Sequence, residues 1–554
     1  MSKTRALYKA FGSNLEMPKP DSSSKQKIYS RFGMVAFWCI MVPISVVAGY
    51  VTYAMTDFLY RFGGSTYALL SELDLLSAFA MIFGLPLMFS VLFFSSDLKF
   101  LQALPVKAES LFSARFWHTY KAENVMTSNT LLAIFIGFFI AAVKHDGMAA
   151  LHPSSVAGAL IAYFACTLVP LIYCSLLGML VMLLMRWLKN EKIYYHLSAL
   201  LFVAFTAVFL LALRDYGSIG TSSYLDSLIG QDNRFTVLCN VLFPCNALCV
   251  DAIAKHDFLP ILLAALFVAA VYFITAFCSK MLYRKGLFIA ATLGSGRRSA
   301  VRGEISVKSN TKLHSLILKE FRVLMRTMTY RMNCIYVNFL WIAAAPVLGF
   351  MAAGNGVMHD FALKLRTGDP FSCTVLFVSV TAASFIASGL NSIASTSFTR
   401  EGVHLDLIRY IPADIKTQIV AKAFVSVTIS FVPLMIAELI LTVSFGIPLM
   451  MLLYIPASFL CCVTACFTGM LMDSIAPYTI WSDELSALRG NLNCFFNLAA
   501  MLLIALVLGA CSYVSYLIGE GFIAVASLDL VILVCAAVWG ITGAMDKIRE
   551  NLTS

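Results

Sequence analysis

Twelve runs of about 20 predominantly apolar residues decide what this chain can fold into, because a helix of that length crosses the hydrocarbon core of a bilayer. Lipid offers no hydrogen bonds to the backbone, so a spanning segment has to be helical unless it closes a barrel. We therefore predict an all-α polytopic membrane protein of two six-helix halves. The runs lie near 33–55, 76–96, 126–144, 156–185, 195–213, 259–283, 331–352, 373–396, 422–446, 449–472, 493–513 and 523–546.

Composition excludes a water-soluble fold. Hydrophobic residues make up 60% of the chain, charged residues 13%, and the mean hydropathy is +0.84. Soluble domains carry roughly 25% charged residues. Residues 1–31 are polar and lack the short apolar core and cleavage site of a signal peptide, so Gly33–Met55 is expected to remain as the first spanning helix.

The basic residues predict the orientation. If both termini are cytoplasmic, the cytoplasmic segments contain all but seven of the 40 lysines and arginines, as the positive-inside rule requires. This placement accounts for the net charge of +10 with membrane lipid as the surroundings and without a nucleic-acid partner. We expect a multi-pass plasma-membrane protein. The seven exceptions are Arg61, Lys144, Arg214, Arg234, Lys255, Lys364 and Arg366.

The pattern predicts six segments along the chain. A cytoplasmic segment (1–32) precedes the first half (33–283), and a Gly/Ser/Arg-rich linker (284–311) follows it. Residues 312–330 contain apolar residues at helical spacing with charges mainly on another face, which indicates an amphipathic helix on the inner leaflet. A plain cytoplasmic helix is the alternative. The second half (331–546) and a tail (547–554) complete the chain.

An internal repeat marks the loop after the second span of each half. Phe100–Trp117 aligns without gaps to Leu407–Phe424. Proline favours the first turn of a helix, so each loop is expected to hold a short surface helix, either a docking element for a soluble partner or a re-entry helix without one. Aligned pairs are Leu104 with Ile411, Pro105 with Pro412, Ala114 with Ala421 and Arg115 with Lys422; a weaker match pairs Gly178-Met-Leu180 with Gly469-Met-Leu471.

Several residues inside the spans are candidate sites. Glu438 is a carboxylate at membrane depth, which indicates either proton coupling or a hydrogen bond between helices. Asp529 is expected near the membrane surface. Asn391 and several phenylalanines line either a substrate pathway or a helix contact; these phenylalanines include Phe83, Phe89, Phe202, Phe205 and Phe385.

No chemistry of bond making is indicated. The eight histidines are scattered, and neither a catalytic cluster nor a set of metal ligands occurs. The phosphate-binding pattern GxxxxGK[ST] is also absent. We therefore expect a protein that is not an enzyme and has no cofactor of its own.

Three stretches resemble the ABC-2-type exporter permeases in their duplicated, twelve-span form. Leu316–Arg326 is similar to the family's elbow helix. Ser397–Gly402, with Leu407, Ile411-Pro412 and Lys422, is similar to its loop after the second span. Pro477–Arg489 resembles its Pro-x-x-x-Trp-x-x-Glu stretch. The first half departs from the pattern, since Asp97-Leu-Lys99 replaces Arg-Glu-Gly and Arg186–Glu191 replaces the longer stretch.

The resemblance implies an exporter of hydrophobic or amphipathic substrates such as peptides, drugs or lipids. Two separate ATPase subunits, with their ATP and Mg, would dock on the loops and drive alternating access. The second and fifth spans of each half would line the pathway. The implied docking residues are Leu101, Leu104, Pro105, Arg400, Glu401, Leu407, Tyr410, Ile411 and Pro412, and the implied elbow residues are Lys319, Glu320, Arg322 and Arg326.

Cys239–Cys249 resembles the family's outer re-entrant helices. A disulfide between Cys239 and Cys245 is compatible with their spacing, whereas one between Cys245 and Cys249 would be strained. Two other functions stay open. One is a secondary transporter driven by protons through Glu438, and the other is a membrane enzyme acting on lipids.

Overall fold

The fold is entirely helical wherever the structure, a computed structural model, describes the chain. It describes Tyr8 and residues 24–63, 66–93, 106–188, 191–213, 233–293, 310–354, 356–447, 452–479, 481, 484–489, 491–518 and 521–553. These residues contain no strand, which confirms the prediction of an all-α membrane protein. They fall into two compact units: the first contains Tyr8 and residues 38–293, and the second contains residues 24–37 and 310–553.

The first unit is built mainly from long helices. Its helices are α1 (Ser24–Tyr60, within the unit from Trp38), α2 (Tyr67–Phe93), α3 (Ala108–Asp146), α4 (Pro153–Leu188), α5 (Glu191–Ala212), α6 (Arg234–Leu242), α7 (Pro244–Lys255), α8 (Leu259–Cys278) and α9 (Arg284–Leu293).

The second unit begins with the predicted amphipathic helix. Its helices are α10 (Lys312–Arg326), α11 (Phe339–Ala353), α12 (Val357–Arg366), α13 (Pro370–Leu390), α14 (Ile415–Phe445), α15 (Tyr454–Ile475), α16 (Glu484–Arg489), α17 (Leu492–Leu517), α18 (Phe522–Trp539) and α19 (Met545–Thr553). Between α13 and α14, Thr399–Arg409 forms 3₁₀ turns that a kink at Gly402 interrupts, and we call this kinked segment the 3₁₀ helix.

Eleven helices in the described residues are long and apolar enough to span a membrane. The fifth predicted run corresponds to α5, whose apolar part, Leu200–Ala212, is shorter. Helix α2 begins at Tyr67, well before the predicted start at 76. The sequence pattern missed this part of the helix because its first turns contain acidic residues that interrupt the apolar run. Those residues are accommodated by hydrogen bonds, such as the one from Thr52 to the Glu72 carboxylate.

Helices α6 and α7 form a bent pair, with an angle of 103° between them. The bend lies at Phe243, and Pro244 begins α7, where its missing N–H has no helical acceptor to lose. The Asn246 amide anchors the pair to α2 by donating to Asp74 Oδ1 at 3.0 Å and to Ser77 Oγ at 2.9 Å. The cysteines of the pair are buried and free, so the disulfide compatible with their spacing is not formed; they are Cys239, Cys245 and Cys249.

The repeat predicted from sequence appears in the structure as equivalent helix starts. Helix α3 begins at Ala108 and α14 at Ile415, which are equivalent positions of the aligned loops. In the second loop the short 3₁₀ helix ends before Pro412 and α14 begins three residues after it, so the proline lies between the two helices. The helical conformation is disfavoured for a residue that precedes proline, so Ile411 does not continue the 3₁₀ helix towards α14.

A second repeated feature is a π-helical turn inside the last long helix of each unit. Ser279–Tyr283 joins α8 to α9, and Gly540–Ala544 joins α18 to α19. In both units the helix continues beyond the wide turn for about ten residues. These extensions lie at the end that the basic residues predict to be cytoplasmic.

Small residues set the closest helix contact of the first unit. A Cβ added to Gly137 of α3 would lie 2.1 Å from the Gly49 carbonyl oxygen of α1, so no side chain fits there. Ala133 and Gly137 are four residues apart and face α1 together. This spacing is typical of tightly crossing membrane helices.

Replacing Gly137 by alanine is expected to push α1 and α3 apart and to lower the free energy of unfolding by about 1–3 kcal/mol, the usual effect of overpacking. Thermal unfolding of the purified protein in detergent measures the change. Gly521→Ala is the control, because a Cβ at Gly521 meets no atom within 4 Å. Equal melting temperatures for the two variants would contradict this account of the contact.

Candidate functional site

The three stretches that carry the family resemblance meet at one end of the second unit. Helix α10 supplies Glu320, the segment after α13 supplies Arg400 and Glu401, and α14 supplies Lys422. Together with Lys319 these residues form what we call the ion cluster. The stretch around Trp481 closes over the same segment.

Lys422 is the centre of the ion cluster. Its Nζ lies 2.8 Å from Glu320 Oε1 and 2.8 Å from Glu401 Oε1, and it also donates to the Ser397 carbonyl oxygen at 3.0 Å. Only 4% of its side chain is exposed. One ammonium group therefore uses its three donors to join two helices and the segment between α13 and α14.

Arg400 fixes the start of that segment. Its NH1 donates to the Ile393 carbonyl oxygen at 2.6 Å and to Thr396 Oγ1 at 2.8 Å. Its NH2 lies 3.8 Å from Glu320 Oε2. The guanidinium also sits over the Tyr330 ring, 6.0 Å from the centroid. Arg400 thus ties the end of the preceding span to α10.

The charges of the cluster control the ionisation of Glu401. Burial raises the pKa of this carboxyl, but the charges of Lys422 and Lys319 outweigh burial and lower the pKa from its usual 4.5 to about 2. Lys319 Nζ lies 2.7 Å from Glu401 Oε1. The glutamate is therefore an anion at neutral pH and a permanent partner of both lysines.

Asp473, at the end of α15, holds the same segment by its backbone. The carboxylate accepts from Phe398 N at 2.6 Å, from Thr399 N at 3.0 Å and from Thr399 Oγ1 at 2.6 Å. Asn493 Nδ2 donates to it at 2.9 Å, and Asn491 Nδ2 donates to Thr399 Oγ1 at 3.1 Å. Helices α15 and α17 are thereby joined to the segment between α13 and α14.

Trp481 explains the glycine of the Arg-Glu-Gly sequence. Its Nε1 donates to the Thr399 carbonyl oxygen at 2.9 Å, and its ring lies against Gly402. Gly402 has φ +58° and ψ −137°, a conformation that other residues rarely adopt. A Cβ there would also lie 3.1 Å from the indole ring. Only glycine satisfies both conditions.

Beyond Gly402 the 3₁₀ helix presents an apolar surface, which we call the exposed patch. It consists of Val403, Leu407 and Tyr410, and Tyr410 is 81% exposed. Pro412 is exposed beside it, and Ile411 is half-buried. Leu101, Leu104 and Pro105, the equivalent residues predicted in the first half, lie outside the described residues.

Arg400 and Glu401 have a different position from the other predicted docking residues. The side chain of Arg400 is 4% exposed and that of Glu401 is 20% exposed. Both side chains are largely covered within the ion cluster and hold the start of the 3₁₀ helix, and a docking role for them stays a prediction. Of the predicted elbow residues, Lys319 and Glu320 belong to the ion cluster, whereas Arg322 and Arg326 are exposed.

The equivalent place in the first unit is aromatic. Phe93 lies as far before Pro105 as Arg400 lies before Pro412, whereas Asp97, the counterpart expected from the family pattern, lies outside the described residues. The Phe93 ring packs against Tyr283, with centroids 5.5 Å apart, and Phe112 meets the same tyrosine edge-on at 5.6 Å. The Tyr283 hydroxyl donates to the Leu92 carbonyl oxygen at 3.0 Å.

The aligned basic residue is retained in both units. Arg115 of α3 is buried and donates to the Val91 carbonyl oxygen at 2.5 Å, as Lys422 donates to Ser397. Arg115 therefore binds the backbone in the last turn of α2, and Lys422 binds the backbone of the segment that follows α13. The two units keep the backbone contact and differ in the side chains around it.

Glu438 is buried between three helices of the second unit. Ser458 of α15 donates to its Oε1, and Ser458 in turn shares a hydrogen bond of 2.8 Å with Ser384 of α13. Thr442 donates to the backbone carbonyl oxygen of Glu438 at 2.7 Å. A hydrogen bond between helices is thus present at Glu438, and proton transfer through it remains a prediction.

The predicted pathway residues lie mostly inside their own units. Phe89 packs on Gly178, Phe385 belongs to the core of the second unit, and the Asn391 amide donates to Ser430 Oγ at 2.6 Å. Phe202 is buried, while Phe83 and Phe205 are half-buried. A lining role for these residues stays a prediction.

Asp529, expected near the membrane surface, lies inside the second unit, and its depth in the membrane stays a prediction. The residue is fully buried, and Ser512 of α17 donates to its Oδ2 at 2.6 Å. A neighbouring helix therefore supplies the hydrogen bond that water would otherwise give.

The residues that the sequence did not single out are Asp473, Thr399, Asn491 and Asn493. Asp473 carried one signal, an acidic residue at the end of an apolar run, close to the repeated Gly469-Met-Leu471. The others are common polar residues, and nothing in their spacing indicates a shared site.

No group of three or more His, Cys, Asp or Glu side chains in the described residues is arranged to hold a metal ion. Comparison with protein-family models, curated proteins and solved structures finds no match to this chain. The site is therefore interpreted from its own geometry.

Replacing Lys422 by methionine is expected to lower the free energy of unfolding by about 3–5 kcal/mol, because Glu320 and Glu401 are left as buried charges without their shared partner. Lys416→Met is the matched control. Lys416 pairs with Asp546 at 2.8 Å on the surface, and such a pair contributes below about 1 kcal/mol. Thermal unfolding in detergent compares the variants, and equal losses would show that the ion cluster is not a buried unit.

Glu401 is expected to make stability depend on pH in acid. Its pKa is lowered in the folded protein, so its contribution is complete above the unfolded pKa of about 4.5 and is lost as the pH falls towards 2. The melting temperature should fall more steeply between pH 5 and 3 in the wild type than in Glu401→Gln. Parallel curves for the two proteins would contradict the assigned ionisation.

Proposed function

We propose that this chain is the transmembrane permease of an ATP-binding-cassette exporter, with ATP hydrolysis carried out by separate ATPase subunits. The observation that carries the proposal is the meeting of the three family-like stretches in one buried polar site. The stretch around 400 is the segment between α13 and α14, and the stretches around 320 and 481, far from it in sequence, both contribute side chains that contact it. Independent chance resemblances would have no reason to converge.

The exposed patch has the properties of a docking surface. It presents Val403 and Leu407 on the 3₁₀ helix and Tyr410 directly after it. The start of that helix is fixed by Arg400, by Glu401 and by the hydrogen bonds that Asp473 accepts. Large apolar side chains with a polar surround are typical of protein contact sites. A rigid base is what a docking element needs in order to pass a displacement to the spans.

The proposed cycle uses these connections. ATP-driven closure of the ATPase subunits would press on the exposed patch, and the ion cluster would transfer that movement to α10 and α14. Asp473 would transfer it to α15 and, through Asn493, to α17. Alternating access would follow from the tilting of these helices. The substrate class is hydrophobic or amphipathic, such as a peptide, a drug or a lipid.

The test is purification of the detergent-solubilised protein from its native host, followed by mass spectrometry and an ATPase assay. A stoichiometric ATPase subunit is expected to copurify, and Tyr410→Asp is expected to reduce its recovery at least about tenfold, the effect of losing an interface hot spot. Val357→Asp is the control, because Val357 is also an exposed apolar residue but begins α12 on the predicted outer side.

Recovery of the wild-type protein without any ATPase, under conditions that preserve its fold, would refute the proposal. Recovery of an ATPase that Tyr410→Asp and Val357→Asp retain equally would keep the exporter and reject the exposed patch as its docking surface.

A further inference from the structure

The second unit contains a helix that the proposed docking surface depends on and that the family resemblance did not include. The candidate span Phe522–Thr553 has 32 residues. At 1.5 Å per residue it is about 48 Å long, well beyond the roughly 30 Å of the hydrocarbon core. The final helix, α19, therefore projects past the membrane on the side of the exposed patch.

The apolar face of α19 is completely used. Ile548 and Leu552 are buried in one cluster with Ile408 of the 3₁₀ helix and Ile419 of α14. The opposite face is exposed and polar, and includes Lys547 and Glu550. The amphipathic pattern of α19 is thus explained by packing against α15 and α14, and Ile408 of the 3₁₀ helix belongs to the same buried cluster.

Polar contacts place α19 against the same segment. Arg409, the last residue of the 3₁₀ helix, donates from Nε to the Leu552 carbonyl oxygen at 2.8 Å. Carbonyl groups in the last turn of a helix lack intrahelical partners, and a cation there also interacts favourably with the helix dipole. Lys416 pairs with Asp546 at 2.8 Å, and Asn551 Nδ2 donates to Ser474 Oγ at 3.0 Å.

The 3₁₀ helix is therefore held at both ends. The ion cluster and Asp473 fix its start at Thr399–Glu401, and α19 fixes its end at Ile408 and Arg409. Val403 and Leu407 of the exposed patch lie between these two attachment points, and Tyr410 follows directly after the second. Helix α19 continues through the π-helical turn Gly540–Ala544 into α18 without leaving the helical region.

We propose that α19 positions the exposed patch and joins it directly to the last span of the second unit, with Ile548 and Arg409 as positioning residues. A displacement of the patch then reaches α18 through α19 as well as α14 through the ion cluster. This inference rests on the proposed function for its role in transport, but the contact itself is testable in the permease alone.

Hydrogen–deuterium exchange of the purified protein without ATPase tests the positioning. Ile548→Ala is expected to accelerate amide exchange within 403–411 at least about tenfold, because the truncated side chain leaves a cavity under Ile408. Ile541→Ala is the matched control, since Ile541 lies on the same continuous helix but is 44% exposed. Unchanged exchange in 403–411 for Ile548→Ala would overturn the proposal.

A milder variant guards against unfolding. Ile548→Val is expected to give a smaller acceleration in 403–411 while exchange in the middle of α14 stays at the wild-type rate. If Ile548→Val and Ile548→Ala accelerate exchange equally throughout the second unit, α19 contributes only global stability and the positioning role is rejected.

The ATPase assay separates this inference from the proposed function. If an ATPase copurifies with the wild type, Ile548→Ala is expected to lower ATP hydrolysis by the complex and Ile541→Ala to leave it unchanged. Absence of any ATPase would refute the exporter and leave the exchange result standing. If ATP hydrolysis by the complex is as fast with Ile548→Ala as with the wild type, the link to α18 is rejected.

Discussion

The architecture of the second unit depends on a buried ammonium group shared by two carboxylates. Removing charges from water costs several kcal/mol per ion, so such a cluster persists only when every member keeps its partner. Lys422 meets that condition by binding Glu320, Glu401 and the Ser397 carbonyl oxygen together. The relative position of α10, α14 and the segment between α13 and α14 is therefore set by the directions of these hydrogen bonds as well as by apolar packing.

The two units solve the same structural problem by different chemistry. The first packs Phe93 against Tyr283 and Phe112, contacts that tolerate small shifts and respond little to salt or pH. The second uses charge-assisted hydrogen bonds, which are strong only in narrow geometries. We therefore expect the contacts of the second unit to be more sensitive to small displacements of their helices than the contacts of the first.

Sequence predicted the membrane helices well because apolar length is a one-dimensional property. It failed at the start of α2, where a hydrogen bond from the neighbouring α1 stabilises an acidic residue that an apolar pattern excludes, and it did not indicate the hydrogen bond between Ser512 and Asp529. The stretches around Glu320, Arg400 and Trp481 were each recognisable, but nothing in one dimension pairs Glu320 with Lys422. Asp473 was harder still, since its partners are mainly backbone N–H groups, which every residue but proline carries.

The two units share a π-helical turn near the end of their last long helix. A π-helical turn accommodates one residue more than an α-helical turn, so a single inserted residue produces it. The turns Ser279–Tyr283 and Gly540–Ala544 occupy the same place in the last long helix of each unit. One extra residue at this place in each half accounts for both turns. The two halves therefore share this turn, although one contains the ion cluster and the other contains Phe93, Phe112 and Tyr283.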